Sequence, residues 1–142
     1  MNGLEMTIVL QRDVVARRFF QNVFTSDLLP KKFEAGIYVV NTHPITKPGE
    51  HWVIYYKSKE HLEFFDSLGH QPSYYHSHWP HAAVYNHQEI QGNSPTCGLY
   101  CLYFAIKRCR GKCMSEIVSV FNKDKQHNDE FIKEYMRRYF RQ

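Results

Sequence analysis

The segment QGNSPTCGLYCLYFAIK, residues 91 to 107, constrains the structure of this chain more than any other stretch. A run of Gly, Asn, Ser and Pro typical of a turn leads directly into apolar residues at helical spacing. The pattern predicts a helix over 97–109 with Cys97 in its first turn. A cysteine therefore lies where a turn becomes a buried helix, and it is either a packing residue or a nucleophile.

The rest of the chain predicts an α+β fold, a small mixed sheet packed by helices, in one domain spanning residues 1–142. Apolar β-branched runs predict strands at 36–41, 51–56, 61–68 and, shorter, within 82–86. Three- and four-residue apolar spacing predicts helices at 8–24, at 115–122 with Ser115 as cap, and at 128–140 with Asn128 or Asp129 as cap. The remaining segments, 25–32 and 42–50, are predicted as a turn and a proline-containing loop, and 69–88 as irregular.

Composition excludes several classes of protein. The 142 residues are 43% hydrophobic and 15% aromatic, which is too apolar for a disordered tail. No apolar run approaches the roughly 20 residues of a membrane span, and the N-terminus predicts no secretory signal. We therefore expect a reducing compartment, cytosol or nucleus, in which the four cysteines are free thiols. The net charge of +4 is compatible with nucleic acid or an acidic partner without requiring either.

The two strands at 51–56 and 61–68 predict a hairpin. If its turn is centred between Ser58 and Lys59, His51 lies opposite Asp66, close enough for imidazole and carboxylate to hydrogen-bond. A carboxylate in that place fixes the tautomer of a catalytic histidine and stabilises its charged form. The alternative is a surface His–Asp pair without a role.

The surroundings predicted for Cys97 favour a reactive thiolate. A helix N-terminus and a charged histidine both lower the pKa of a cysteine. Gly98 leaves room for a substrate carbonyl, while Gln91 and the turn amides could stabilise an oxyanion. The alternative is that Cys97 is one more small buried residue of an apolar helix.

Taken in chain order, these motifs resemble a known family. The segments YVVNTHPITKPGEHWVIYY, FFDSLG and IQGNSPTCGLYCLYF resemble the adenain family, the maturation proteases of adenoviruses, and the wider clan that cleaves SUMO and related modifiers. The matching signatures are His51–Trp52 at the start of a strand, Asp66 at the end of the next, and Gln91 before Cys97–Gly98. The resemblance spans residues 36–107 and implies the adenain and ubiquitin-like protease fold, with the nucleophile at the head of a central helix.

The resemblance also implies roles for individual residues. Cys97 is the nucleophile, His51 the general base, Asp66 the orienting acid and Gln91 the oxyanion donor. Substrate contacts are expected at Glu50, Trp52 and Gly98, although Trp52 equally fits a core position. The implied enzyme is a viral or virus-derived endopeptidase that cleaves capsid or core precursors after glycine.

Partners and location follow from the same resemblance. The sequence itself requires no cofactor. Adenain-like enzymes can be activated by a viral peptide and by DNA, so the resemblance is compatible with either activator, although no cysteine here matches the one that forms a disulfide with the peptide. The expected partner is a protein substrate, the basic surface is compatible with DNA, no membrane contact is expected, and the expected state is a monomer. The expected location is the host nucleus or cytosol, or a virion.

Departures from the family pattern and alternative functions stay open at this point. The chain is shorter than adenain, and its acid is Asp rather than Glu, as in SUMO proteases and many adenain relatives. A protease for SUMO, ubiquitin or a related modifier is the main alternative, and a DNA-binding module with a vestigial protease fold is another. The histidine-rich stretch 69–88 lacks zinc-site spacing and predicts a loop lining the substrate groove rather than a metal site.

Overall fold

The computed structural model describes residues 1–44 and 51–141. The helices in these ranges are α1 (Gly3–Arg12), α2 (Pro72–Tyr75), α3 (Cys97–Cys109), α4 (Met114–Val118) and α5 (Lys125–Phe140), with a 3-10 turn at Ala16–Arg18. The strands are β1 (Phe20–Phe24), β2 (Gly36–Asn41), β3 (Trp52–Lys57), β4 (Leu62–Phe65) and β5 (Val84–Tyr85). The predicted α+β class is confirmed, and β2 and α3 have the predicted bounds.

The five strands form one mixed sheet in the order β1-β2-β3-β4-β5. The central strands β2, β3 and β4 pair antiparallel, whereas β1 and β5 add to the two edges in parallel. Every residue of β2 is buried, as expected of a strand covered on both faces. The described ranges hold no helix long and apolar enough to cross a membrane.

Alternate residues of the central strands supply two separate cores, one on each face of the sheet. Ile37, Val39, Ile54 and Phe65 face α3 and join the larger core. On the opposite face, a smaller core packs around Trp79, and its strand residues are Tyr38, Val40, Val53, Tyr55 and Phe64. Helix α3 packs against β3 of the sheet and against α5, and most of its residues are buried. Its first residue, Cys97, is therefore positioned by the larger core.

The helix predicted over 8–24 is wrong over most of its length. Helix α1 begins earlier, at Gly3, and ends at Arg12, and residues 20–24 form β1 beside β2. Asp13 causes the break, because its carboxylate accepts the backbone N–H groups of Val15 and Ala16 and redirects the chain. The same carboxylate accepts hydrogen bonds from Arg110 and Tyr139, which sequence spacing could not reveal.

Smaller differences concern caps and element lengths. The predicted cap Ser115 is wrong, since α4 begins at Met114 and Cys113 caps it together with Glu116. The helix ends at Val118, short of the predicted end at 122. The strand predicted over 61–68 ends at Phe65, because the chain turns after Asp66 with Gly69 at a φ of +80°. The segment predicted as irregular contains α2, a single helical turn that begins with a proline.

The packing of α3 on the sheet leads to a stability prediction. The rings of Phe104 and Phe65 are stacked with centroids 4.8 Å apart, and Phe104 is fully buried. We expect Phe104→Ala to lower the free energy of unfolding by about 3–5 kcal/mol, since a buried ring leaves a cavity. Phe140→Ala, the same change at a side chain 47% exposed, should cost less than about 1 kcal/mol. Denaturant unfolding measures both, and equal losses would contradict this packing.

Candidate active site

Cys97 is the first residue of α3 and is 8% exposed. The turn before it ends at Thr96, whose side chain makes no capping bond to α3. The backbone N–H groups of Trp52 and Gly98 both reach the Cys97 sulfur. A thiolate at this position therefore receives two main-chain donors in addition to the favourable end of the helix dipole.

His51 joins Cys97 to Asp66. Nε2 of its imidazole lies 2.6 Å from Oδ1 of Asp66, and the His51 side chain also lies within hydrogen-bonding reach of the Cys97 thiol. With Nε2 committed to the carboxylate, Nδ1 is the ring nitrogen left for the sulfur. The His51 side chain is 13% exposed and the Asp66 side chain is fully buried.

The hairpin register predicted from the sequence is wrong, although the predicted contact is present. Tyr55 pairs with Phe64, two residues beyond the expected partner at 62, because the turn is centred between Lys59 and Glu60. A two-residue offset keeps every side chain on the same face of the sheet. His51 and Asp66 therefore still meet, but diagonally rather than directly opposite.

The electrostatics favour an ion pair between Cys97 and His51. Burial by itself lowers the pKa of His51, but hydrogen bonds to Asp66 and Cys97 outweigh it and raise the pKa to about 9. Burial by itself raises the pKa of the Cys97 thiol, but the His51 side chain and two backbone N–H groups lower it below its ordinary value. A thiolate beside an imidazolium is the reactive form of a cysteine nucleophile.

Gln91 is anchored to the turn that leads into Cys97. Its Oε1 accepts a 2.6 Å hydrogen bond from the hydroxyl of Ser67, and its Nε2 donates to the Ser94 carbonyl at 3.0 Å. An amide nitrogen carries two hydrogens, so one N–H bond leaves a second donor available. Gln91 is only 9% exposed, and these two hydrogen bonds fix the orientation of its side chain.

Asp129 holds this turn from α5, and the sequence analysis missed that role. Its carboxylate accepts hydrogen bonds from the backbone N–H groups of Gly92 and Ser94, from the Thr96 hydroxyl and, at 2.7 Å, from the Tyr100 hydroxyl. The predicted capping role is wrong, because α5 begins at Lys125 and Asp124 caps it.

A sequence signal for this role exists. Asp129 lies three and seven residues before Ile132 and Met136, on the buried stripe of α5. An acid on such a stripe must find donors within the fold, since an unpaired buried charge is costly. Asn128 beside it donates to the Ile90 carbonyl, so α5 fixes both ends of the turn region.

Two more residues that the sequence analysis missed brace Asp66. The Asn86 side-chain carbonyl accepts the backbone N–H of Asp66 at 2.9 Å, and its amide donates to the Asp66 carbonyl. The Tyr75 hydroxyl donates to Oδ2 of Asp66 at 2.5 Å. Tyr75 lies in the stretch predicted as an irregular loop lining the groove, and Asn86 ends the short strand predicted within 82–86. The spacing of neither residue in the sequence indicates a contact with Asp66.

Two of the three residues predicted to contact substrate, Trp52 and Gly98, lie against the N-terminal helix α1. The indole of Trp52 packs against α1, where a Cβ on Gly3 would lie 3.3 Å from it, so its side chain joins the core. Gly98 also faces α1, and a Cβ there would meet Met1 and Met6 at ordinary contact distances. Glu50 lies outside the described residues.

The histidine-rich segment is tied to the fold by other contacts. His76 Nε2 bonds the Thr42 carbonyl at 2.7 Å, and the ring of His70 stacks on Tyr74. Across residues 1–44 and 51–141, no group of three or more His, Cys, Asp or Glu side chains is arranged to hold a metal ion.

Comparison with known proteins assigns the chain to no family. No protein-family model matches it, and no curated protein matches it at a significant level. The roles of these residues therefore rest on their chemistry and geometry.

The Asp129 contacts lead to a prediction. Asp129→Ala removes the acceptor of the part-buried amides of Gly92 and Ser94 and of the buried hydroxyls of Thr96 and Tyr100. Each buried unsatisfied donor costs about 1–3 kcal/mol. We expect the free energy of unfolding to fall by at least about 2 kcal/mol and hydrogen exchange of these two amides to accelerate. Glu130→Ala is the matched control, because the Glu130 side chain is 66% exposed. Unchanged protection of the Gly92 amide in Asp129→Ala would contradict the anchoring role.

Proposed function

We propose that this chain is a cysteine endopeptidase of the adenain-like type. The single observation that carries the proposal is the contact of one imidazole with both partners, since His51 bonds the buried Asp66 and reaches the thiol of Cys97. The elements that hold the three residues are β3, the end of β4 and the start of α3, so their geometry is set by the packed core. That is the arrangement of nucleophile, base and orienting acid that acyl transfer needs.

The proposed reaction begins with the Cys97–His51 ion pair. The sulfur attacks the scissile carbonyl carbon, and the negative charge moves to the carbonyl oxygen. The second N–H of Gln91 and the backbone N–H of Cys97 donate to that oxyanion. His51 gives its proton to the leaving amine as the C–N bond breaks, which leaves a thioester on Cys97.

The second half of the reaction restores the enzyme. His51, now neutral, accepts a proton from water, and the hydroxide oxygen attacks the thioester carbonyl. The C–S bond breaks, the carboxylic acid product leaves, and the thiolate returns beside the imidazolium. Asp66 keeps its hydrogen bond to His51 throughout and stabilises the charged form of the imidazole.

The expected pH dependence of activity follows from the shifted pKa values of Cys97 and His51. The ion pair forms as pH rises through the lowered pKa of Cys97, and it is lost as pH rises through that of His51, which is about 9. We therefore expect a plot of activity against pH to rise, reach a plateau and fall. Because the two groups interact strongly, the midpoints of the rise and of the fall describe the Cys97–His51 pair rather than either residue alone.

The proposed substrate is an extended segment with glycine before the scissile bond, in a viral capsid or core precursor. The resemblance to the adenain family is the support for this choice. Glycine suits a nucleophile that is only 8% exposed, because a residue without a side chain brings its carbonyl closest to a recessed sulfur.

The activity test uses the purified chain and a library of glycine-containing peptides, with cleavage followed by mass spectrometry. We expect Cys97→Ser to reduce cleavage at least about a thousandfold, because the oxygen nucleophile is not activated by this pair. Cys113→Ser, the same change at an exposed cysteine, should leave cleavage unchanged.

Further substrates and an additive in the same assay distinguish precursor processing from the alternative functions. Fluorogenic conjugates of SUMO and ubiquitin test for a deconjugating protease, and added DNA tests the activation that the resemblance implies. Cleavage of the modifier conjugates alone would replace the precursor-processing proposal. Equal cleavage by wild type and Cys97→Ser would exclude Cys97 as the nucleophile.

A further inference from the structure

The Asp66 carboxylate is fully buried, and donors occupy both of its oxygens. Oδ1 accepts from His51 Nε2 and, at 3.0 Å, from the backbone N–H of Leu68. Oδ2 accepts from the backbone N–H of His70 at 3.2 Å and from the Tyr75 hydroxyl at 2.5 Å. A carboxylate has about four acceptor positions, so these donors satisfy it completely. Tyr75 supplies the shorter of the two bonds to Oδ2.

Tyr75 is placed for this bond by the short helix α2. The backbone N–H of His76 bonds the Pro72 carbonyl and closes the turn, and Pro72 itself is buried. The Tyr75 ring packs 6.1 Å from the Trp79 ring, which belongs to the smaller core. Burial and the charge of Asp66 raise the pKa of Tyr75, so the hydroxyl keeps its proton and acts as a donor.

We propose that Tyr75 is a positioning residue for the catalytic pair, which acts on Cys97 through Asp66 and His51 by fixing and stabilising the Asp66 carboxylate. This inference rests on the proposed function. It adds a fourth side chain to the Cys97–His51–Asp66 chain, at the end remote from the sulfur.

The physical reason is the orientation of the Asp66 carboxylate. Without the Tyr75 hydroxyl, Oδ2 keeps only the longer bond from the His70 N–H. The carboxylate is then held less firmly toward His51, and the hydrogen bond that stabilises the imidazolium weakens. A less stabilised His51 cation in turn stabilises the Cys97 thiolate less. Removing the hydroxyl should therefore shift thiolate formation to higher pH.

Several other titratable groups face Tyr75, and they decide which variant can serve as a control for Tyr75→Phe. They are Asp66 after β4, His51 before β3, His70 and Tyr74 from its own segment, and Cys101 from α3. Of these, Tyr74 offers the matched control, because it is adjacent, aromatic and 64% exposed.

The experiment measures the rate of Cys97 alkylation by iodoacetamide across about pH 5 to 9, with the labelled site identified by mass spectrometry. In Tyr75→Phe we expect the profile to move to higher pH, so that labelling near pH 6 slows roughly three- to tenfold while the high-pH plateau is unchanged. Tyr74→Phe should leave the whole profile in place. A purely structural loss would change the plateau or the melting temperature rather than the position of the profile.

A double-mutant cycle with Asp66→Asn tests the route of the effect. If Tyr75 acts through the Asp66 carboxylate, Tyr75→Phe shifts the profile in the wild-type background and not in Asp66→Asn. An unshifted Tyr75→Phe profile, or an equal shift in both backgrounds, overturns this inference while leaving an activated wild-type Cys97 in place. If wild-type Cys97 is not labelled faster than an ordinary thiol below pH ~8.5, the proposed function fails and this inference fails with it.

Discussion

The buried hydrogen bond between His51 and Asp66 is the interaction on which the site depends. A carboxylate with no solvent exposure is tolerated only when donors replace the water it has lost. Here the imidazole is one of those donors, and its charge in turn lowers the pKa of Cys97. The His51–Asp66 hydrogen bond thus both satisfies the buried Asp66 carboxylate and favours the thiolate of Cys97.

Buried polar side chains also hold the main chain around the His51–Asp66 pair. Asp129 is a second buried carboxylate, and its donors are mostly groups of the turn before Cys97, so α5 fixes the main chain beside the sulfur. Asn86 fixes both backbone groups of Asp66 from the segment after β5. The turn before Cys97 and the main chain of Asp66 are therefore each held by a polar side chain from a distant element, in addition to the hydrogen bonds within their own loops.

The sequence predicted the elements whose pattern is local. Helix 97–109 and strand 36–41 were predicted with correct bounds, because an apolar run with clear ends depends on little else. The failures came from two aspartates. Asp13 ends α1 by accepting the backbone N–H groups of Val15 and Ala16, and its remote partners Arg110 and Tyr139 could not be inferred from spacing. Asp129 faces a turn instead of capping its helix. The His51–Asp66 contact was predicted despite a wrong register, since a two-residue shift preserves the face of the sheet. Tyr75 could not be predicted, because no spacing rule connects α2 to the end of β4.

The most direct measurement of the central claim is an NMR titration of the His51 ring, following its Cε1 proton in the wild-type chain and in Cys97→Ser. The ion pair predicts that His51 stays charged until pH rises to about 9 and that removing the thiolate lowers this value, since a neutral hydroxyl stabilises an imidazolium less. A His51 ring that loses its proton near the ordinary value of about 6.5 in both proteins would contradict the ion pair.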